Sequence, residues 1–200
     1  MKYGIFPLIC SGLLLCACTS APIRYYTMLA SPETEQSETV KAEFAVDVLP
    51  VGVPEQLDRP QLVIRKGDSE VAVLDNQRWT ASLGEEIRGA LSDQLTWRWH
   101  TTDASGLPDY GSEKLLRVKL QLRRLDVWPD KKILLQADWS VGFADTAEIR
   151  LNCRSQFEQP LGNGYDALAN GMQQLIGRQA AEIAAAVNES GQMKCPQAAD

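Results

Sequence analysis

Histidine is almost absent from this chain: His100 is the only one in 200 residues. That scarcity removes most imidazole-based acid–base chemistry. A structural zinc site takes four ligands, and Cys153, Cys195 and His100 together supply only three. Clustered positive charge is missing as well. Lys and Arg number 20 against 26 Asp and Glu, the formal net charge is −6, and no basic run exceeds two residues. Phosphate recognition needs a concentrated basic patch, so nucleic acid is set aside as a partner. There is no Gly-rich phosphate loop and no Gly-x-Ser-x-Gly elbow, the usual marks of nucleotide chemistry and of many serine hydrolases. Glu85 and Glu86 are neighbours in a helical pattern and point in different directions, so they read as solvated charges at a helix start. His100 reads as a surface histidine at a strand end. No catalytic residue, metal or cofactor is expected.

Long apolar runs are also scarce, and the one at the N-terminus is short. Ile5 to Leu15 is interrupted by Pro7, Ser11 and Gly12, whereas a membrane-spanning helix needs about 20 apolar residues. With Lys2 before it, residues 1–17 read as an export signal. Leu15-Cys16-Ala17-Cys18 then resembles the bacterial lipobox, with Leu three places before Cys18 and a small residue directly before it. Cys18 is the expected acylation site. Cys16 competes, but Leu15 directly precedes it. Several acyl chains anchor firmly, because each buried methylene contributes roughly 0.8 kcal/mol. Thr19 follows Cys18 where an Asp would signal retention; by resemblance to enterobacterial lipoprotein sorting, this favours the outer membrane, with the body on the periplasmic face. Cys153 and Cys195 remain, and in an oxidising compartment a disulfide between them is expected. The alternative is a buried free Cys153 and an exposed Cys195.

After a leash over 18–24, residues 25–190 read as one α+β domain and 191–200 as a C-terminal tail. Strands are expected over Tyr25 to Leu29 and Phe44 to Val53. Leu62 to Arg65 and Val71 to Leu74 flank the turn Lys66-Gly67-Asp68-Ser69 as a hairpin. Ser82 and Glu85 form a possible capping box for a helix with Leu83, Ile87, Leu91 and Leu95 on its apolar stripe; Trp97-Arg98-Trp99 leaves that stripe and is read as opening a strand. Leu116, Val118, Leu120 and Leu122 alternate with Arg117, Lys119, Gln121 and Arg123. One face of that strand is buried and the other is wet and basic. Parity shifts across Arg123-Arg124 to Leu125 and Val127, the signature of a β-bulge. Turns at Pro129-Asp130-Lys131 and at Ala144 to Glu148 join this strand to two more, Ile133 to Phe143 and Ile149 to Phe157, as a three-stranded meander. A last helix, about Gly164 to Asn188, covers the sheet through Leu168, Met172, Leu175, Ile176 and Ile183. The expected architecture is a two-layer sandwich: an antiparallel sheet with two amphipathic helices on one face, and Arg117, Lys119 and Arg123 on the other.

One segment matches a family. Val51-Gly52-Val53-Pro54-Glu55-Gln56-Leu57-Asp58-Arg59-Pro60-Gln61-Leu62-Val63, then Arg78-Trp79, the lipobox, Tyr25-Tyr26-Thr27 and Gly164-Tyr165, together resemble the ABC-type transport auxiliary lipoprotein family. Where the family commonly has Trp-Ala-x-Pro-Leu, this chain has Trp79-Thr80-Ala81-Ser82-Leu83. The resemblance implies a non-catalytic accessory subunit of an envelope lipid-transport system containing mammalian-cell-entry (MCE) domain proteins, docked at the outer membrane and supporting envelope integrity. An MCE-domain protein is the implied partner, and a homo-oligomer is possible. Asp58 and Arg59, beside Pro60, either bond to each other or face that partner; Arg117, Lys119 and Arg123 are the other expected contacts. Trp79 reads as a core aromatic. The alternative function is a periplasmic lipid carrier, with an apolar cavity between sheet and helices.

Overall fold

The computed structural model describes residues 21–31, 41–107, 114–144, 151–187 and 193–195. The signal segment, Cys18, Thr19, the turn after Ala144 and most of the tail lie outside the described residues. Alternation over Lys114–Trp128 (β5) builds the longest strand, with Leu116, Val118, Leu120 and Leu122 buried and Arg117, Lys119 and Arg123 exposed. It pairs antiparallel with Lys132–Phe143 (β6), which pairs antiparallel with Leu151–Pro160 (β7), as the meander expectation requires. Register slips between Leu122 and Arg124, so the parity change is a bulge. Asp130, with φ of 58°, turns the chain between β5 and β6.

The α+β class holds, but the strands form two sheets. The larger has the order β2-β5-β6-β7, with β2 at Phe44–Val48; the smaller has the order β1-β4-β3, built from Arg24–Tyr26, Val71–Trp79 and Gln61–Arg65. The β3–β4 hairpin is antiparallel, whereas β1–β4 and β2–β5 are parallel. Strand β2 ends earlier than expected because Pro50 has no N–H for a ladder. The chain nevertheless continues along β5: Leu49 N donates to Val118 O (2.9 Å), Gly52 N to Leu120 O (3.0 Å) and Leu122 N to Gly52 O (2.8 Å). A Cβ on Gly52 would lie 2.0 Å from Gln121 Oε1, so a larger residue there requires the Gln121 amide to swing aside.

Two helices cover one face. The first, α1, spans Leu83–Trp99, and its Leu83, Ile87, Leu91 and Leu95 are buried. Trp97-Arg98-Trp99 belongs to this helix and opens no strand. Two of these residues have partners outside the helix: Arg98 Nη2 donates to Gly177 O (3.2 Å), and Trp99 meets Phe44 edge-on at 5.3 Å. His100 is therefore a left-handed helix cap, φ 46°, and not a strand end. Ser82 is the N-cap residue but makes no side-chain cap bond, so the capping box does not form; Glu85 instead pairs with Arg88 at 3.0 Å. The second helix, α2, spans Gly164–Ala186 and buries Leu168, Met172, Leu175, Ile176 and Ile183. A polar brace fixes it to the sheet: Trp139 Nε1 (2.7 Å) and Gln179 Nε2 (3.3 Å) donate to Ser155 Oγ, whose hydroxyl donates to Glu182. Cys153 of β7 and Cys195 are disulfide-linked, with Cα atoms 5.6 Å apart. Closing a loop with a sequence separation of 42 stabilises by about 2–4 kcal/mol through the unfolded chain.

Glu86 departs furthest from its sequence reading. It is 6% exposed, not solvated. Its carboxylate accepts from Thr27 Oγ1 (3.0 Å), Met28 N (2.8 Å) and the Thr80 hydroxyl. These bonds turn the chain inward after Tyr26 and end β1 short of the expected Leu29. Gln173 Nε2 holds the same segment through Thr27 O and Leu29 O, each at 3.1 Å. Leaving buried donors without an acceptor costs about 1–3 kcal/mol each. Glu86→Ala should therefore lower unfolding free energy by about 2–4 kcal/mol in urea titration, and Glu86→Gln, which keeps an acceptor oxygen, by less. A change of only tenths for Glu86→Ala would contradict this role.

Candidate docking surface

The side of the larger sheet opposite the helices gathers charge by register. Asp47 of β2 lies opposite Arg117 of β5, and Arg117 Nε reaches Asp47 Oδ2 at 3.2 Å. Farther along, the bulge leaves Arg123 without a ladder partner and aims it at Asp138 of β6, 2.7 Å away. Asp138 is also opposite Arg154 of β7 and meets it at 2.6 Å. Hydrogen bonds from Arg154 and then Arg123 hold the Asp138 carboxyl at about 2, below the ordinary 3.8. Lys119, between these two clusters, has no ion pair among the described residues. It lines a cleft of about 160 Å³ with Arg117, Leu49, Ser140, Gly142 and Phe143. The cleft is therefore mixed in character, with cations over an apolar floor.

The three expected basic residues share this face; Asp58 and Arg59 do not join them. Their loop precedes β3 and passes the start of α1, where a Cβ on Gly84 would lie 3.8 Å from Asp58 Oδ1. Of the two arrangements the sequence allowed for this pair, the local ion pair is not formed. Asp58 is exposed, and Arg59 Nε is buried without a hydrogen-bond partner among the described residues. Backbone bonds shape the loop instead: Leu57 N donates to Pro54 O (2.8 Å) and Trp79 N to Pro60 O (2.7 Å). Trp79 is a core aromatic, 4% exposed.

Asp47, Asp138 and Arg154 complete the charged face but were not singled out from sequence. Counting outward positions back from the Asp130 turn would have found Asp138. Beyond the bulge in β5, Asp126 is almost buried and is shared by Arg124 and by Arg65 of β3 (2.7 Å from Arg65 Nε), which joins the two sheets. The interior that an acyl chain would occupy holds Met172 and Leu175, both 0% exposed and part of one continuous core. Among the described residues no group of three His, Cys, Asp or Glu side chains is placed to hold a metal, and no helix is long and apolar enough to cross a membrane.

The lowered Asp138 pKa sets a direction for acid stability. The group binds its proton more weakly in the folded state, so its contribution is complete above 3.8 and is lost as pH falls towards about 2. Surface pairs contribute about 1 kcal/mol or less. Asp138→Asn should cost no more than that at neutral pH, and should make stability less steep in pH between 3.8 and about 2. Urea midpoints measured across that range check it; parallel curves for the two proteins would contradict it.

Comparisons with known proteins agree with this architecture. The chain is similar in fold to an uncharacterized protein of known crystal structure, with 17% identity over 84% of this chain and 100% of that one and a TM-score of 0.64. It is also similar to protein XCC0632 from Xanthomonas campestris, of the DUF330 family, with 10% identity over 81% of this chain and 92% of that one and a TM-score of 0.57. None of the curated proteins compared with it matches. The profile of the ABC-type transport auxiliary lipoprotein component family matches residues 26–184, from the last residue of β1 to near the end of α2. By that match over most of its length, the chain belongs to the ABC-type transport auxiliary lipoprotein component family.

Proposed function

We propose that this protein is a lipid-anchored, non-catalytic accessory subunit of an envelope lipid-transport system, acylated at Cys18 and held on the periplasmic face of the outer membrane. It docks an MCE-domain protein there. Membership of an auxiliary transport lipoprotein family supports the general role, and Leu15-Cys16-Ala17-Cys18 with Thr19 supports the anchor and its membrane. The observation that carries the docking reading is the cleft between Arg117 and Lys119, a surface that folding leaves charged and open. Arg123 extends it, and Asp58 with Arg59 offers a second, separate contact.

Lys119 is the discriminating residue, since its charge is not committed within the fold. Charge reversal by Lys119→Glu should weaken co-purification with an MCE-domain partner while shifting folding stability by about 1 kcal/mol or less. Arg117→Glu should do the same with a somewhat larger stability loss, because Asp47 is left facing a like charge. An unaltered complex after both changes would overturn the docking surface. The anchor is tested separately: Cys18→Ser should accumulate as unprocessed precursor, and Cys16→Ser should mature normally. Release of processed Cys18→Ser protein in soluble form would overturn the lipid anchor.

A further inference from the structure

We infer that the outer face of the small sheet β1-β4-β3 is a membrane-contact surface, which rests on the Cys18 anchor proposed above. Cross-strand partners share a face, and the register puts Tyr25 beside Arg78, Arg78 beside Gln61, Val73 beside Val63, and Val71 beside Arg65. The β3–β4 register slips between Gln61 and Val63, which changes the parity of β4 between Val73 and Arg78, and on the opposite face Leu62, Ile64 and Trp79 are buried. The outward side keeps its apolar groups in the open: Tyr25 is 61% exposed, Val71 53% and Val73 41%, with Ile23 at 48% just before β1. A tyrosine with β-branched neighbours suits the boundary between acyl chains and headgroups, where a ring is buried and its hydroxyl stays wet.

The length of the leash says what covers this face. Cys18 and Arg24 are 24 − 18 = 6 positions apart, and six extended residues reach about 20 Å at most. A headgroup layer of roughly 5–8 Å uses part of that reach, so β1 stays within about 15 Å of the lipid surface. A domain of this size is roughly 40 Å across. The side carrying β1 is thus the side nearest the bilayer, and the exposed apolar residues lie on it. Because β1 runs parallel to β4, the leash enters from the Val71 end of that strand. Charges around the face are mixed: Arg24, Lys66 and Arg78 against Asp68, Glu70 and Asp75. Contact therefore depends on apolar burial more than on lipid charge.

The test uses full-length acylated protein in vesicles, one set of phosphatidylcholine and one of phosphatidylethanolamine with phosphatidylglycerol. The photoreactive residue p-benzoylphenylalanine replaces Tyr25, Val73 or, as an equally exposed apolar control outside the sheet, Leu107 (59% exposed). Lipid adducts are expected at positions 25 and 73 in both vesicle types and not at 107; Val71 supplies another position if one variant fails to fold. Adducts no more abundant at 25 and 73 than at 107, or cross-links there to a second copy of the chain in place of lipid, would overturn the contact while leaving the anchor intact. The mass of the mature protein reports the anchor independently. A mature chain without acyl groups on Cys18 would overturn the anchor and this contact together.

Discussion

A single buried carboxylate decides how the start of the domain is held. Glu86 lies in the first turn of α1, where the helix dipole favours a negative charge, and collects donors from Thr27, Met28 and Thr80. Three chain segments thereby meet at one side chain: the exit of β1, the exit of β4 and the start of α1. Met28 becomes part of the core, 1% exposed, and Thr80 N donates to Tyr26 O at 3.0 Å to complete the junction. Without this acceptor the short strand β1 would rest on three paired positions along β4 and on the Gln173 amide that holds the segment after it.

The second organising element is β5, a strand of the larger sheet that also meets the smaller one. Its inward leucines and valine pack under the helices, while its outer face carries the basic residues. The bulge after Leu122 keeps both ends of the strand useful. Before it, Arg117 and Lys119 line the cleft; beyond it, Asp126 receives Arg65 from β3 and so links the small sheet to the large one. The charged surface and the junction of the sheets are thus consequences of one strand and one inserted residue.

Much of this was legible because period-two alternation reports which way a side chain faces. The β5–β7 meander, the bulge and the exposed placement of Arg117, Lys119 and Arg123 all follow from it. Alternation does not report which strand lies alongside which. Hence the parallel pairing of β1 with β4 and of β2 with β5, and the division into two sheets, were hidden: both depend on chain returns between distant segments. Glu86 was misread for a related reason, since its partners Thr27 and Met28 lie 59 and 58 residues away. Trp97 to Trp99 stay helical although they leave the apolar stripe, because Gly177 and Phe44 offer contacts that a single-helix pattern does not contain.

The parallel alignment of β1 and β4 has a mechanical consequence. A pull on the residues before Arg24 acts along the strand axis, so the ladder to β4 is loaded in shear and its bonds share the force instead of opening one at a time. The Thr27 and Met28 bonds to Glu86 lie just downstream and share that load with the ladder. Tension arriving from the N-terminal side would therefore be spread over the β4 ladder and the first turn of α1, and from there over the core.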